Sequence, residues 1–212
     1  MDKRICFIVG AGEYYELDFS FHPGDYIVGA DGGLLYLQRN GITADLVVGD
    51  FDSLGRQPNH LNVISLSKEK DDTDTFAAVR EGIKLGYRNF HFYCCTGGRT
   101  EHTLANIQLL AYLSENNMRG WLIDKKNIIT AITDANIFFE PCCGGYISIF
   151  SHSEKSSGVF LKGLKYELNN AVITNTFPIG VSNEFIGIES NVTVEKGTIL
   201  IIYPKEAKEK FT

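Results

Sequence analysis

The sequence predicts an α/β N-terminal domain with a parallel-type sheet, followed by an all-β sandwich C-terminal domain. Three observations lead there. Up to about residue 124, short apolar, β-branched runs alternate with amphipathic stretches, the pattern of an α/β layer structure. "ADLVVGD" (44–50) is apolar from Leu46 through Gly49 before its terminal aspartate, as expected of a strand covered on both faces in a parallel sheet. From about residue 126 the helical spacing disappears, and many short strand-like runs follow with Gly, Asn and Pro between them.

Taken in order, "MDKRICFIVGAG" opens with a basic flank and an apolar stretch. The stretch is too short for a signal sequence and runs into a glycine turn, so it reads as a first strand. Strands are predicted over 4–9, 26–30, 45–49, 61–66, 90–95 and 120–123, and helices within 32–41, 72–86 and 100–117. Gly41 and Gly86 suit helix stops, because glycine accepts the left-handed conformation of a C-terminal cap. Beyond residue 125 the strand candidates are "NIITAIT", "ANIFFE", "YISIFS", "GVFLKG", "AVITN", "EFIGIE", "VTVEKG" and "TILIIY". The division therefore falls near residue 125, giving domains 1–125 and 126–212 that pack without a Pro- or Ser-rich linker. "KEAKEKFT" reads as a solvated or frayed end.

At 212 residues the chain can bury a substantial core, and its 44% hydrophobic and 22% charged residues are ordinary for a globular protein. No apolar run approaches the roughly 18 residues a membrane-spanning helix needs. A net charge of −6 without basic runs argues against a nucleic-acid partner. It does not exclude a small anion, since a divalent cation inverts the sign of an acidic pocket. The cysteines, Cys6 and the neighbours Cys94–Cys95 and Cys142–Cys143, offer no C-x-x-C spacing for zinc and are expected to be reduced, buried structural thiols. Without an export signal, the cytoplasm is the expected compartment, and the Asn191 sequon is expected to stay unmodified.

The chemistry gathers around carboxylates. Asp50 and Asp52 end the predicted strand 45–49, where ligands bind in open α/β sheets. If the extended conformation persists through Phe51, their side chains point to one side about 6–7 Å apart. At an effective dielectric near 20 they then repel by roughly 2–3 kcal/mol. Either solvation in an exposed turn or Mg²⁺, which takes one or two carboxylates plus water and phosphates, offsets this. "KDDTDT" (70–75) adds Asp71, Asp72 and Asp74; Asp72 or Thr73 suits a helix cap and Asp74 the first turn, so ordinary capping competes with metal binding there.

"GAGEYY" has Tyr15 where a dinucleotide fingerprint needs glycine, and Asp31 in "ADGG" suits a simple turn former. In "TGGRTEHTLANI" (96–107) glycines lead from a strand into a helix whose N-terminus can receive phosphate. Arg99 is there either a phosphate-binding fork or half of a surface salt bridge, and His102 either solvated or a donor to a ligand. Ser182 and Asn183 in "GVSNEF" have a bland role as a turn between strands.

Taken together, "ADGG", "DLVVGDFDS", "KDDTDT", "GGRTEHTLANI", "LKGLKYEL" and "GVSNEF" occur in an order that resembles the thiamine pyrophosphokinases, over residues 30 to 185. The family segment "GGRxDHxLAN" carries aspartate where this chain has Glu101, which keeps the acid and changes its reach. The resemblance implies pyrophosphate transfer from ATP to the hydroxyethyl group of thiamine, giving thiamine diphosphate and AMP. It also implies Mg²⁺ as cofactor and a homodimer whose sites are shared between chains. Asp50, Asp52 and Asp74 would serve a catalytic metal-phosphate centre, Asp71, Arg99 and His102 the ATP phosphates, and Ser182 and Asn183 the aminopyrimidine of thiamine. The competing functions are a Mg²⁺-dependent nucleotide pyrophosphohydrolase, which uses water as acceptor, and a non-catalytic thiamine- or nucleotide-binding module.

Overall fold

Six parallel strands form the sheet of the first compact unit in the computed structural model, which describes residues 3–51, 58–67 and 72–210. This unit runs up to Leu109 and includes Met118–Lys125; the second comprises Leu110–Asn117 and the chain from Lys126 onwards. In the first unit the strands are β1 (Ile5–Val9), β2 (Tyr26–Ala30), β3 (Leu46–Gly49), β4 (Val63–Ser65), β5 (Asn89–Tyr93) and β6 (Arg119–Ile123), in the order β6-β5-β1-β2-β3-β4. Every pairing among them is parallel. The helices are α1 (Gly33–Arg39), α2 (Asp74–Lys84) and α3 (Thr100–Glu115), each inside its predicted window; α3 begins in the first unit, and its residues from Leu110 on belong to the second.

Local chemistry accounts for the helix ends. Thr73 takes an extended φ/ψ and its hydroxyl accepts from the Phe76 amide at 3.1 Å, which satisfies one of the orphan donors of α2 and leaves Asp74 in the first turn. Asp72 pairs with Arg80. Gly41 and Gly86 follow α1 and α2 at φ 67° and 89°, the left-handed stops expected of them. α2 lies against β1, β2 and β3, and it can come close because position 82 is glycine: a Cβ there would meet the Phe90 ring at 2.7 Å. The link from β1 to β2 contains no helix; Phe19 in it stacks on Phe7 at 4.6 Å and lies 4.7 Å from Tyr93.

The second unit is the expected β-sandwich. Its strands are β7 (Asn127–Thr133), β8 (Asn136–Phe139), β9 (Tyr146–Ser151), β10 (Lys155–Lys162), β11 (Leu168–Thr174), β12 (Gly180–Glu184), β13 (Ser190–Lys196), β14 (Thr198–Pro204) and β15 (Glu209–Lys210). Two antiparallel arrays, β12-β9-β14-β7 and β11-β10-β13-β8-β15, bury alternate residues such as Ile147 and Ile149, Val192 and Val194, and Ile199 and Ile201. Phe139 centres this core, edge-on to Phe185 at 5.4 Å and to Tyr203 at 5.0 Å.

Several sequence-based expectations change. The extended conformation does not persist through Phe51: that residue is buried with φ 58°, so the chain turns immediately after Asp50, and the same-side argument for Asp50 and Asp52 loses its premise. "EFIGIE" is not a strand; β12 lies earlier, over the polar "GVSNE", and Phe185 closes it by entering the core while Ile186 and Ile188 stay exposed. The C-terminal "KEAKEK" is not frayed, because Ala207 is buried and Glu209–Lys210 pair with β8. Cys6, Cys94 and Cys95 are buried as expected, whereas Cys142 is half-buried and Cys143 exposed, since both sit in the turn between β8 and β9. Among the described residues no helix is long and apolar enough to cross a membrane.

Candidate active site

The carboxyl ends of the parallel strands carry a cleft of about 340 Å³. Three non-glycine residues just past those ends have positive φ: Asp31 after β2 (49°), Phe51 after β3 (58°) and Cys94 after β5 (52°). Left-handed backbone is disfavoured for side chains with a Cβ, so its recurrence at three strand ends along one edge of the sheet marks chain held against its preference. Close approach adds to the crowding. A Cβ on Gly33 would lie 1.9 Å from the Val9 carbonyl oxygen, and one on Gly12 would lie 2.4 Å from that of Thr96. Glycine at 33 therefore lets the start of α1 sit against the end of β1, and glycine at 12 lets the loop after β1 lie along the segment after β5.

Side chains converge on this space from three elements. Asp31 comes from the end of β2, Asp74 from the first turn of α2, and Arg99, His102 and Asn106 from the start of α3. The spacing 99, 102, 106 is one face of a helix, which is why the three point together. Backbone from Gly10 to Gly12 and at Gly97 completes the lining. Arg99 is largely exposed and its Nε donates to Glu101 Oε1 at 2.7 Å, a surface ion pair. This hydrogen bond, after one from its own backbone, holds the Glu101 carboxyl below the usual range.

Of the sequence-predicted residues, Asp74, Arg99 and His102 share the cleft. Asp50 follows β3 next to it, half-buried, and is not part of the lining; Asp52 and Asp71 lie outside the described residues. Sequence reasoning passed over Asp31, Asn106 and the Gly10–Gly12 loop. The rule that strand ends carry the site applied to "ADGG" as much as to "VVGD", but a turn explains an aspartate after a strand equally well.

Ser182 and Asn183 belong to the second unit and lie in β12, where the register shifts between Gly180 and Asn183. Ser182 sits in this bulge at φ 56°, exposed, and its amide donates to Ser148 Oγ at 3.0 Å. Asn183 is buried: its Oδ1 accepts from the amides of Tyr166 and Glu184, both at 2.9 Å, and its Nδ2 donates to the Tyr166 carbonyl at 2.6 Å. The side chain thereby clamps Tyr166, a residue that remains 59% exposed.

Among the described residues, no three His, Cys, Asp or Glu side chains are close enough to cage a metal ion. Mg²⁺ demands less, because it keeps several waters and binds through one or two carboxylates plus substrate phosphates. Asp31 and Asp74 supply hard oxygen donors in one cleft. The thiols there are soft donors that a hard cation passes over in favour of oxygen, and burial raises both, Cys95 up to about 12. The donor set fits a hard divalent cation.

Residues 20–122 match the family described as thiamin pyrophosphokinase, catalytic domain, and residues 132–199 match thiamin pyrophosphokinase, vitamin B1 binding domain. The thiamine pyrophosphokinase of Bacillus subtilis is 33% identical over 211 residues, covering 94% of this chain and 98% of its own. A crystal structure of thiamine pyrophosphokinase from the same species superposes with a TM-score of 0.86 at 29% identity, over 96% of this chain and 100% of that one. That of thiamin pyrophosphokinase from Geobacillus thermodenitrificans gives 0.81 at 26% identity, over 95% and 98%.

Proposed function

This chain belongs to the thiamin pyrophosphokinase family and transfers pyrophosphate from ATP to thiamine; we propose that the cleft at the strand ends of its first unit holds the ATP triphosphate together with Mg²⁺. The observation that carries this reading is the convergence of Asp31, Asp74, Arg99 and His102 on a glycine-lined space above parallel strands. Backbone amides beside glycine and the start of α3 suit phosphate oxygens, and Arg99 offers them a planar fork in exchange for Glu101. Asp50, Asp52 and Asp71 join Asp74 in this proposal on the strength of their motifs.

Bound Mg²⁺ would supply charge shielding for the polyphosphate, with Asp50, Asp52, Asp74 and Asp31 as the residues of this chain able to hold it. The chain's own part is positional. Its loops hold the triphosphate so that the thiamine hydroxyl oxygen attacks the β-phosphorus in line, forming the new O–P bond as the α–β bridging bond breaks and AMP departs. The hydroxyl proton passes to a neighbouring carboxylate. Arg99 offsets charge growing on the departing AMP.

On this proposal residues 1–125 form the catalytic, nucleotide-binding domain and 126–212 the thiamine-binding domain. Ser182 offers an exposed hydroxyl to the aminopyrimidine, and Asn183 serves it by fixing Tyr166. A homodimer with sites shared between chains completes the reading. What supports a second copy as partner is the row Phe177, Ile179 and Val181, 44–66% exposed, along and just before β12, a strand at the end of its array, with Ile186 and Ile188 also exposed beyond it. Free cysteines agree with a reducing cytoplasm.

The test is a product assay with ATP, Mg²⁺ and thiamine. Thiamine diphosphate and AMP formed in equal amounts, and abolished by EDTA, support the proposal. Turnover that survives EDTA would remove Mg²⁺ from the proposal, and wild-type affinity for ATP in Arg99→Ala would remove the cleft.

A further inference from the structure

The link between β1 and β2 contains one side chain that reaches across the strand ends to the backbone beneath the cleft. Tyr15 is buried, at 8% exposure, with its ring 6.4 Å from that of Tyr93. Its hydroxyl accepts from the Cys94 amide at 2.8 Å and donates to the Ile123 carbonyl, so one atom ties the end of β5 to the end of β6. Cys94 is the residue at φ 52°, where strand geometry stops and the cleft-lining segment begins.

The next peptides are held as firmly. The Cys94 carbonyl accepts from the Gly12 amide at 2.7 Å, and the Thr96 carbonyl from the Glu13 amide at 2.8 Å. The Cys95 carbonyl accepts from Asn106 Nδ2 at 2.8 Å. Only then does the chain pass through Gly97 and Gly98, at φ 73° and 62°, to Arg99. Residues 94–96 are thus a fixed arm, and Tyr15 and Asn106 are the side chains that fix it. Burial pushes the Tyr15 hydroxyl well above its ordinary range, which keeps it a neutral donor and acceptor throughout the working pH range.

We infer that Tyr15 is a positioning residue for the nucleotide: by pinning Cys94 in its left-handed conformation, it sets the glycine turn and Arg99 at the distance the phosphates need. The inference rests on the cleft being the ATP site. Without the hydroxyl, the Cys94 amide and the Ile123 carbonyl lose a buried partner, and the arm relaxes toward extended backbone. The ring packing survives in Tyr15→Phe, so the defect belongs to the arm.

Kinetics and calorimetry on the full-length enzyme test this. Tyr15→Phe should weaken binding of a non-hydrolysable ATP analogue and raise KM for ATP by about tenfold or more, with KM for thiamine within about twofold of wild type. Phe19→Leu loosens the same aromatic cluster without touching Cys94, and should lower the melting temperature while keeping KM for ATP. Unchanged nucleotide affinity in Tyr15→Phe, or an equal rise of both KM values, would overturn the inference. If Tyr15→Phe does not fold, Asn106→Ala asks the same question at the Cys95 carbonyl, with hydrogen exchange as a second readout because Asn106 also lines the cleft: weakened nucleotide binding with faster amide exchange over residues 94–96 and thiamine KM retained supports the fixed arm, and unchanged exchange or unchanged nucleotide binding refutes it. Arg99→Ala separates the levels. A wild-type nucleotide affinity there means the cleft is not the ATP site, whereas impaired Arg99→Ala beside a normal Tyr15→Phe removes only the positioning role.

Discussion

Asp74 occupies the first turn of α2 behind the Thr73 cap, so at this one residue the requirements of the helix and of the proposed site coincide. Negative charge at a helix N-terminus is worth only about 0.3–1 kcal/mol to stability. Loss of a carboxylate from a phosphate centre costs far more in rate, because catalysis there is electrostatic and positional. Asp74→Asn should therefore keep a melting temperature near wild type while thiamine diphosphate formation falls by on the order of 10²-fold or more. A steady-state assay beside a thermal scan checks both halves, with Glu206→Gln, at an exposed position, as the silent control. Glu101 calls for a different expectation. It holds Arg99 Nε in an exposed pair, and exposed pairs contribute little. Glu101→Gln should shift KM for ATP by less than about threefold, in either direction; a larger rise would make Glu101 a ligand in its own right.

Among the elements, β5 combines a functional end with a structural middle. Its His91 lies edge-on to Phe7 at 5.5 Å and to Trp121 at 4.9 Å, and burial holds it down to about 4 although Asp25 pulls upward. The unfolded chain binds that proton near 6.5, so the folded state is disfavoured as protons become available. Stability from this group is intact above pH 6.5, declines as pH falls toward 4 and then levels, a loss of about 3 kcal/mol at most. His91→Phe, which keeps the ring contacts, should flatten that part of the curve in urea titrations between pH 4 and 7. A wild-type slope in the variant would assign the loss to other groups. How much of each element was legible follows from burial. β3 announced itself because all four of its residues are buried, and α2 because it alternates core and solvent faces. β12 did not, since an edge strand with exposed Val181 and Ser182 has no one-sided pattern to read. The end of β5 extends in sequence-based expectation to Cys95 because Cys94 and Cys95 look like more strand; their departure from it is imposed by Tyr15 and Gly12, which lie far away in sequence, and by Asn106 in the following helix. The same holds for the cleft. Motifs led to Asp74, Arg99 and His102, while Asp31 enters because Gly49 allows it close: a Cβ there would be 3.0 Å from Asp31 Cα.

For the whole molecule, the proposed dimer makes a prediction that no single chain can satisfy. The proposed phosphate cleft belongs to the first unit and the Ser182–Asn183–Tyr166 group, proposed for thiamine, to the second, and a two-fold dimer that shares sites repeats each combination twice. Asp74→Asn damages the phosphate half. Asn183→Ala damages the other, because it releases both the amide and the carbonyl of Tyr166. Each variant alone forms homodimers with two defective sites. In a mixed dimer of shared design, one site collects both lesions and the other collects neither, so a random mixture of equal amounts, half of it mixed dimer, regains about a quarter of wild-type activity. If each chain builds its site alone, every site keeps one lesion and mixing restores nothing. The apolar row at Phe177, Ile179 and Val181 gives the needed control, since Ile179→Lys in both chains should prevent exchange and with it the recovery. The variants are co-expressed, subunit mixing is confirmed by native mass spectrometry, and thiamine diphosphate formation is measured. Mixed dimers that form yet remain inactive would overturn the shared-site arrangement, while recovery that follows the fraction of mixed dimer would establish that each phosphate cleft works with its partner's second unit.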